Sequence, residues 1–385
     1  METLISIPLV LGREQTLHIW QKPKNSGGGL LATLQSLASS ISRSGAIHVQ
    51  HVSAGTPAVL DVCAYEKISH NVRNKCSDKT QTIVINTISA EPVQIYLRWP
   101  KGSKEVGLGR LHLQSGDYNI NLELDAPSIP ATATHLSLAD IDFVPARELS
   151  VSSNSGNISG LLPMEDILDV STKSGSANLT LLPLFDKPSH VSKLSIKTNS
   201  GSLRINGDLD AVSARTHFPS RDSSIVLETS SGSIRSVLGM TRSTTIKSNS
   251  GSQHLTALFA DHSPGRRSDF ASTSNSGSQN ITIVAAAAAA AAAPEEKSAG
   301  AEKADETGFV CKHKSSSGSV RVVYPDIWQG TVEAYSNSGG VAVVGEGVET
   351  DKVRNRVTGV KGTPMHHTEV GASSGSISVK FGSSW

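Results

Sequence analysis

The sequence predicts an all-β protein, a parallel β-solenoid built from Ser-Gly-Ser turn repeats. Three observations carry that expectation. A short motif centred on Ser-Gly recurs through most of the 385 residues. Apolar and polar residues alternate on both sides of each motif, which is the period of a strand with one buried face. The composition, with 33 glycines and abundant Ser, Thr and Val, suits turns and strands rather than helices.

The repeat is read by aligning the Ser-Gly pairs. Val151–Leu162 is VSSNSGNISGLL, Val170–Leu181 is VSTKSGSANLTL, and Ile196–Gly207 is IKTNSGSLRING. Leu227–Leu238 is LETSSGSIRSVL, Ile246–Ala257 is IKSNSGSQHLTA, and Ser272–Ile283 is STSNSGSQNITI. Later copies centre on Gly318, Gly339 and Gly375, an earlier one on Gly116, and a fainter one on Gly45. With the glycine as position zero, position −5 is apolar (Val151, Val170, Ile196, Leu227, Ile246) and so are +2 and +4 (Leu203 and Ile205, Val320 and Val322, Ile377 and Val379). Inward parity is odd before the glycine and even after it, so one residue is absorbed in the turn. Glycine is expected there for a positive φ, with Asn and Ser bonding the local backbone.

Parity alone admits two architectures. In a solenoid the Ser-Gly turn is a corner of a coil. In an antiparallel meander or sandwich of hairpins it closes a hairpin, pairing Thr198 with Leu203 and Ile196 with Ile205. Spacing favours the solenoid. Gly156 to Gly175 and Gly232 to Gly251 are 19 residues, Gly175 to Gly201 and Gly251 to Gly277 are 26, and Gly201 to Gly232 is 31. A recurring minimum is what one coil per copy requires, with the longer steps as loops.

Residues 1–110 follow the repeat poorly. Strand-like runs at Ser6–Leu11, Ala46–Val52, Ile83–Thr87 and Val93–Trp99 predict an N-terminal β region that caps or leads into a solenoid spanning 111–385. Within the latter, residues 285–308 form a low-complexity insertion. A run from Ala285 to Ala293 meets Pro294 and a Glu/Lys/Ala/Gly stretch, predicting an exposed loop between two copies.

The recurring T-x-S-G-S-[IVL]-x-[IV] unit, over about residues 110–385, resembles the adhesin domains of bacteria and fungi, an uncharacterised family of β-helical stacks. The resemblance implies a structural or interaction protein that binds a protein or glycan surface. It supplies no catalytic residues to carry over. The chain shows no signal peptide, membrane anchor or wall anchor, which predicts a cytoplasmic location by default, with cell surface or secretion by an unrecognised route as the alternative.

Candidate chemistry is sparse. Gly371-Ala-Ser373-Ser-Gly375 matches G-x-S-x-G, but a strand rather than a helix is expected after it and no His follows it. Asp208 and Asp210 alternate and could share a face, the one hint of the alternative function, a carbohydrate-active enzyme on a β-helix scaffold. His366 and His367 are adjacent, so on a strand their rings point apart, unlike a metal pair. No phosphate-binding or dinucleotide fingerprint occurs, and no cofactor is expected. Cys63, Cys76 and Cys311 lack metal-ligand spacing and could form one bridge at most. Sequons stand at Asn157, Asn178 and Asn280, as many as a chain this rich in Ser and Thr produces by chance.

The strongest binding candidate is a basic face. Position +3 points outward and carries Arg204, Arg235, His254 and Arg321. Lys352, Arg354 and Arg356 alternate with Val353 and Val357, as residues sharing a strand face would. Such surfaces suit phosphate or acidic sugar. A net charge of +1 provides no bulk pull toward nucleic acid, and no apolar run is long enough for a membrane span. A protein or acidic glycan is therefore the expected partner. One anomaly remains: inward position +2 is Gln253 and Gln279 in consecutive copies, which predicts that the two amides stack as a short hydrogen-bonded ladder.

Overall fold

The computed structural model describes residues 2–12, 14–23, 45–53, 55–64, 71–87, 93–100, 108–123, 146–164, 166–183, 192–207, 223–240, 242–259, 267–285 and 308–382, to which every structural statement below refers. Asp208, Asp210 and all but the ends of the 285–308 insertion lie outside the described residues. Two compact units are formed, unit 1 over residues 1–184 and unit 2 over 185–385.

Unit 1 contains β1 (Glu2–Pro8), β2 (Thr16–Pro23), β3 (Ala46–Val52), β4 (Val59–Ala64), β5 (Asn71–Cys76), β6 (Thr80–Thr87), β7 (Gln94–Pro100), β8 (Leu108–Ser115), β9 (Asn119–Glu123), β10 (Ala146–Ser153), β11 (Ile158–Met164), β12 (Ile167–Thr172) and β13 (Ala177–Pro183). They form two sheets, A1 in the order β1-β4-β7-β3-β9-β11-β13 and B1 in the order β5-β6-β2-β8-β10-β12. Unit 2 contains β14 (Ser192–Thr198), β15 (Leu203–Gly207), β16 (Ser223–Thr229), β17 (Ile234–Met240), β18 (Ser243–Ser248), β19 (Gln253–Phe259), β20 (Ser268–Ser274), β21 (Gln279–Ala285), β22 (Phe309–Ser315), β23 (Val320–Tyr324), β24 (Gly330–Ser336), β25 (Val341–Val344), β26 (Val348–Val353), β27 (Arg356–Lys361), β28 (His366–Ala372) and β29 (Ile377–Phe381). Its sheets are A2, β15-β17-β19-β21-β23-β29-β25, and B2, β14-β16-β18-β20-β22-β28-β24-β27-β26.

Each Ser-Gly turn carries the chain from a B strand to an A strand. β14 ends at Thr198 and β15 begins at Leu203 in the other sheet, so the two halves of a repeat never pair as a hairpin. Like halves of neighbouring coils pair in parallel, Ile196 beside Leu227 in B2 and Leu203 beside Ile234 in A2. The fold is a parallel β-solenoid. The alternation has the expected sense: Leu194, Ile196, Leu203 and Ile205 are buried, whereas Lys197 and Arg204 are exposed.

The role of the corner glycine differs from the expectation. No corner glycine of the repeat has a positive φ. The constraint is instead the approach of the neighbouring coil. A Cβ added to Gly251 would lie 1.8 Å from the carbonyl oxygen of Gly232, and one on Gly232 would lie 1.9 Å from that of Gly201. The same contact recurs at Gly277, Gly318, Gly375 and Gly339, so the glycines form a spine along which only a hydrogen fits. The hydroxyl at −3 then closes each corner: Gly201 N–H donates to Thr198 Oγ1 at 3.0 Å, Gly232 to Thr229 at 3.0 Å, and Gly318 to Ser315 at 2.9 Å. These buried hydroxyls satisfy backbone donors that the turn leaves without a ladder partner.

The spine also corrects the register of the Gly116 copy. Ser115 is aligned with Ser153, and Gly156 packs against the Tyr118 carbonyl, so position zero in this coil is Tyr118. Its ring packs at Gly45, where a Cβ would lie 2.5 Å from the ring.

Coil order departs from chain order at the outer coils. In unit 1 the coil β2/β3 lies between β6/β7 and β8/β9, and antiparallel strands β5 and β4 cover the β6/β7 coil. In unit 2 the last coil, β28/β29, lies between β22/β23 and β24/β25, and the antiparallel hairpin β27–β26 continues B2 beyond β24. Val357, on the hairpin, is buried. The spine follows this order, since Gly375 packs on Gly318 and Gly339 on Gly375.

Gly251→Ala is expected to destabilise the protein by about 3 kcal/mol or more, because the opposing atom is backbone and cannot move aside alone. Gly340→Ala, where a Cβ meets nothing within 4 Å, is the control and should change stability by less than about 0.5 kcal/mol in the same denaturant titration.

Candidate functional site

The most perturbed titratable groups lie inside unit 2. His313 Nδ1 is 2.8 Å from Ser272 Oγ, a separation that a nucleophile and its base would have. Both residues have no exposed surface. Proton directions also oppose that role. Ser272 Oγ–H donates to Gln279 Oε1 at 2.7 Å, so His313 Nδ1–H must donate to Ser272 and Nε2 is left as an acceptor. Tyr324 O–H, 3.4 Å away, supplies that proton and accepts one from Thr368 Oγ1 at 3.0 Å. Gln279 Nε2 ends the relay on the Lys314 carbonyl at 2.6 Å. Ser272 is thus a donor already spent, and the relay is structural. Burial holds the His313 imidazole neutral, its pKa pulled down to about 3, and pushes the Cys311 thiol up to about 12.

The relay accounts for one of the two glutamines at position +2. Gln253 and Gln279 are aligned and buried, as expected, but they do not bond to one another. Each Nε2 crosses the core to a carbonyl of the next coil's B2 strand, Gln253 to Thr273 at 2.6 Å and Gln279 to Lys314 at 2.6 Å. The stacking prediction holds and the ladder prediction fails. A backbone carbonyl across the narrow core meets each amide before its neighbour can.

On the outer surface, register decides which basic side chains meet. In A2, Arg204 is aligned with Arg235, Arg235 with His254, His254 with Asn280, and Asn280 with Arg321. All five side chains are exposed. Arg204, Arg235 and His254 are therefore immediate neighbours, and Arg321 stands beyond Asn280. Arg204 and Arg235 make no ion pair among the described residues. None of the seven A2 strands contains an Asp or Glu. Lys380, at +5 of the last copy, lies on the same face, a residue the +3 pattern does not pick out.

B2 is different in kind. Glu228 lies between Lys197 and Lys247, at 3.0 and 3.7 Å. Lys314 meets Glu369 at 3.0 Å, which raises the lysine pKa and lowers that of the carboxyl. Lys352, Arg354 and Arg356 belong to this sheet and do not share one face. Arg354 sits in the β26–β27 turn with φ 56°, and the turn reverses parity, so Lys352 lies opposite Val357 while Arg356 lies opposite Val353. Arg356 is paired with Glu333 at 2.7 Å.

Elsewhere the described residues contain no group of three or more His, Cys, Asp or Glu able to hold a metal ion. His366 and His367 take separate partners, the Phe309 N–H and the Thr331 hydroxyl. The three cysteines are free. Among the described residues no helix is long and apolar enough to cross a membrane.

A family model described as Toastrack DUF4097 matches residues 40–288 and 299–380. The chain belongs to this family. Among solved structures, a candidate cell adhesion protein from Clostridium sporogenes is similar at 8% identity and a TM-score of 0.15, over 98% of this chain and 99% of that one. A candidate adhesin from Bacteroides fragilis is similar at 8% identity and a TM-score of 0.26, over 98% of this chain and 96% of that one. At those scores neither carries an argument. No curated protein matches.

Two outcomes test the relay in this Toastrack chain. Thr368→Val should cost about 1–2 kcal/mol in chemical denaturation, because Tyr324 loses a buried partner, and Thr368→Ser should restore most of it. The second concerns pH. Below 6.5 the unfolded chain protonates His313, whereas the folded chain resists until about 3, so acid favours unfolding across that window. Stability against pH should therefore fall more steeply in the wild type than in His313→Asn, by about 1.4 kcal/mol per pH unit mid-window.

Proposed function

We propose that this chain is an adhesin-like binding protein whose ligand is anionic and docks on the outer face of A2. One observation carries the reading: on seven successive strands every charged residue is basic, and three basic side chains stand side by side with no carboxylate among them. Like charges on adjacent strands destabilise a sheet. On B2, cations meet acidic neighbours, Lys197 and Lys247 sharing Glu228. In unit 1 the same holds for Arg110 with Glu148 at 2.6 Å and Arg147 with Asp166 at 2.6 Å. Arg204 and Arg235, side by side on A2 without an acidic neighbour among the described residues, are therefore a departure from the chain's own habit, and an anion supplied from outside would relieve it. Arginine suits the task, because its planar fork meets carboxylate, sulfate or phosphate with two parallel hydrogen bonds.

Binding to anionic and neutral beads tests the reading. The double variant Arg204→Ser/Arg235→Ser should elute from a sulfated matrix at clearly lower salt than the wild type. Lys312→Ser with Lys193→Ser, which removes the same charge from exposed positions on B2, should elute near the wild type. Equal shifts in both double variants would reduce the effect to net charge and remove A2 as the site.

A further inference from the structure

We propose that the ligand of the A2 face is a linear acidic polysaccharide lying across the strands, along the direction in which the coils stack. The inference rests on the reading of A2 as an anion-binding face and adds the ligand class and its orientation.

Orientation follows from register. The basic side chains do not run along one strand. They occupy a single aligned position on successive strands, Arg204, Arg235 and His254, and resume at Arg321 after Asn280. Neighbouring strands are about 4.8 Å apart, so Arg204 to His254 spans about 10 Å and Arg204 to Arg321 about 19 Å. An isolated anion reaches at most two of these groups. A chain bearing acidic groups at regular intervals reaches all of them, provided that it runs perpendicular to the strands. A chain running along a strand would meet one cation and then leave the column.

The ligand class follows from what flanks the column. Toward the corner stand Ser233, Ser252 and Ser278. On the other side stand Asn206, Thr256 and Thr282, outward at the alternate positions, with Val237 the one apolar side chain between Asn206 and Thr282 in that row. The serines, threonines and asparagine are uncharged donors and acceptors, the complement of sugar hydroxyls. Single-stranded nucleic acid is held by aromatic side chains on which bases stack. Among the described residues no outward position of A2 carries an aromatic side chain, since Tyr324 and Phe381 both turn into the core. A basic face flanked mainly by hydroxyl and amide groups therefore fits a polymer of acidic sugars better than one of nucleotides.

Length-graded oligosaccharides test this. Binding of the full chain to oligogalacturonates and to heparin oligosaccharides of increasing length would be measured by calorimetry at low salt. In at least one series, affinity should rise with length until the oligomer spans the Arg204–Arg321 distance and then level off. Arg204→Ser/Arg235→Ser should weaken every length by about tenfold or more. Arg321→Ser should weaken only oligomers long enough to reach it, which is the signature of a ligand lying along the stack. Affinity independent of length, or an Arg321→Ser effect equal at all lengths, would overturn the orientation. Failure of both sugar series, with a single-stranded oligodeoxynucleotide bound instead and lost in Arg204→Ser/Arg235→Ser, would overturn the ligand class while the basic face stands. Indifference of every anion to that double variant would overturn both.

Discussion

The corner glycines of successive coils meet backbone to backbone, and the rest of the architecture depends on that contact. At Gly251 the atom that a side chain would strike is the carbonyl oxygen of the coil beneath, 1.8 Å from where a Cβ would stand. A corner this close keeps the turns in hydrogen-bonding register: Ser231 N–H donates to Asn199 at 2.9 Å, Ser250 to Ser230 at 2.9 Å and Ser276 to Asn249 at 2.9 Å. With the corners locked, the strands on either side have no freedom to slip. A one-residue slip would turn every apolar side chain to solvent. The same lock places Arg204 beside Arg235 and Arg235 beside His254. The glycine spine and the basic column are two consequences of one geometric repeat.

A repetitive stack has a difficulty that its regularity creates: any coil could stack on any other. Unit 2 carries a device that distinguishes them. Thr368 of β28 stands beside Cys311 of β22 and gives its hydroxyl proton to Tyr324. The aligned residue of β24 is Val332. Were β24 to lie next to β22, the Tyr324 hydroxyl would face a methyl group and lose a buried hydrogen bond. The buried relay from Thr368 to Gln279 thus favours the observed order, in which the last coil is sandwiched and the preceding one is outermost. Polar groups in an apolar core contribute little net stability but penalise wrong arrangements, which is how they specify register in other repetitive assemblies. Enclosing the last coil between two others also gives its strands partners on both sides, where an outermost coil would present an open edge.

Membership of the Toastrack DUF4097 family agrees with this architecture and leaves the ligand to be argued from the chain itself. The contrast between the two sheets of unit 2 is the informative feature. Glu228 between two lysines on B2 is a solvated face arranged for neutrality. The A2 face is arranged otherwise, at a cost in like-charge repulsion that nothing within its strands offsets. The proposals above follow from that asymmetry.

Much of this was legible in the amino-acid order. Period-two alternation about each Ser-Gly pair determined which side chains are buried, because a strand offers only two faces and one must be apolar. It also determined that Arg204, Arg235 and His254 point outward at equivalent positions. Other features were decided only by the tertiary structure. Glycine at the corner suggested a positive φ, but the cause is a neighbouring coil far away in sequence. The Ser115-Gly116 pair looked like a corner two residues early, because a local motif cannot show that Tyr118 is the residue meeting Gly156. Lys352, Arg354 and Arg356 alternate in sequence, yet a turn at Arg354 reverses their parity. The two glutamines were aligned as the repeat demanded, but their amides found carbonyls across the core. Local periodicity fixes direction, inward or outward. Which groups meet depends on the order in which coils stack, and that order is set by contacts between residues remote in the chain.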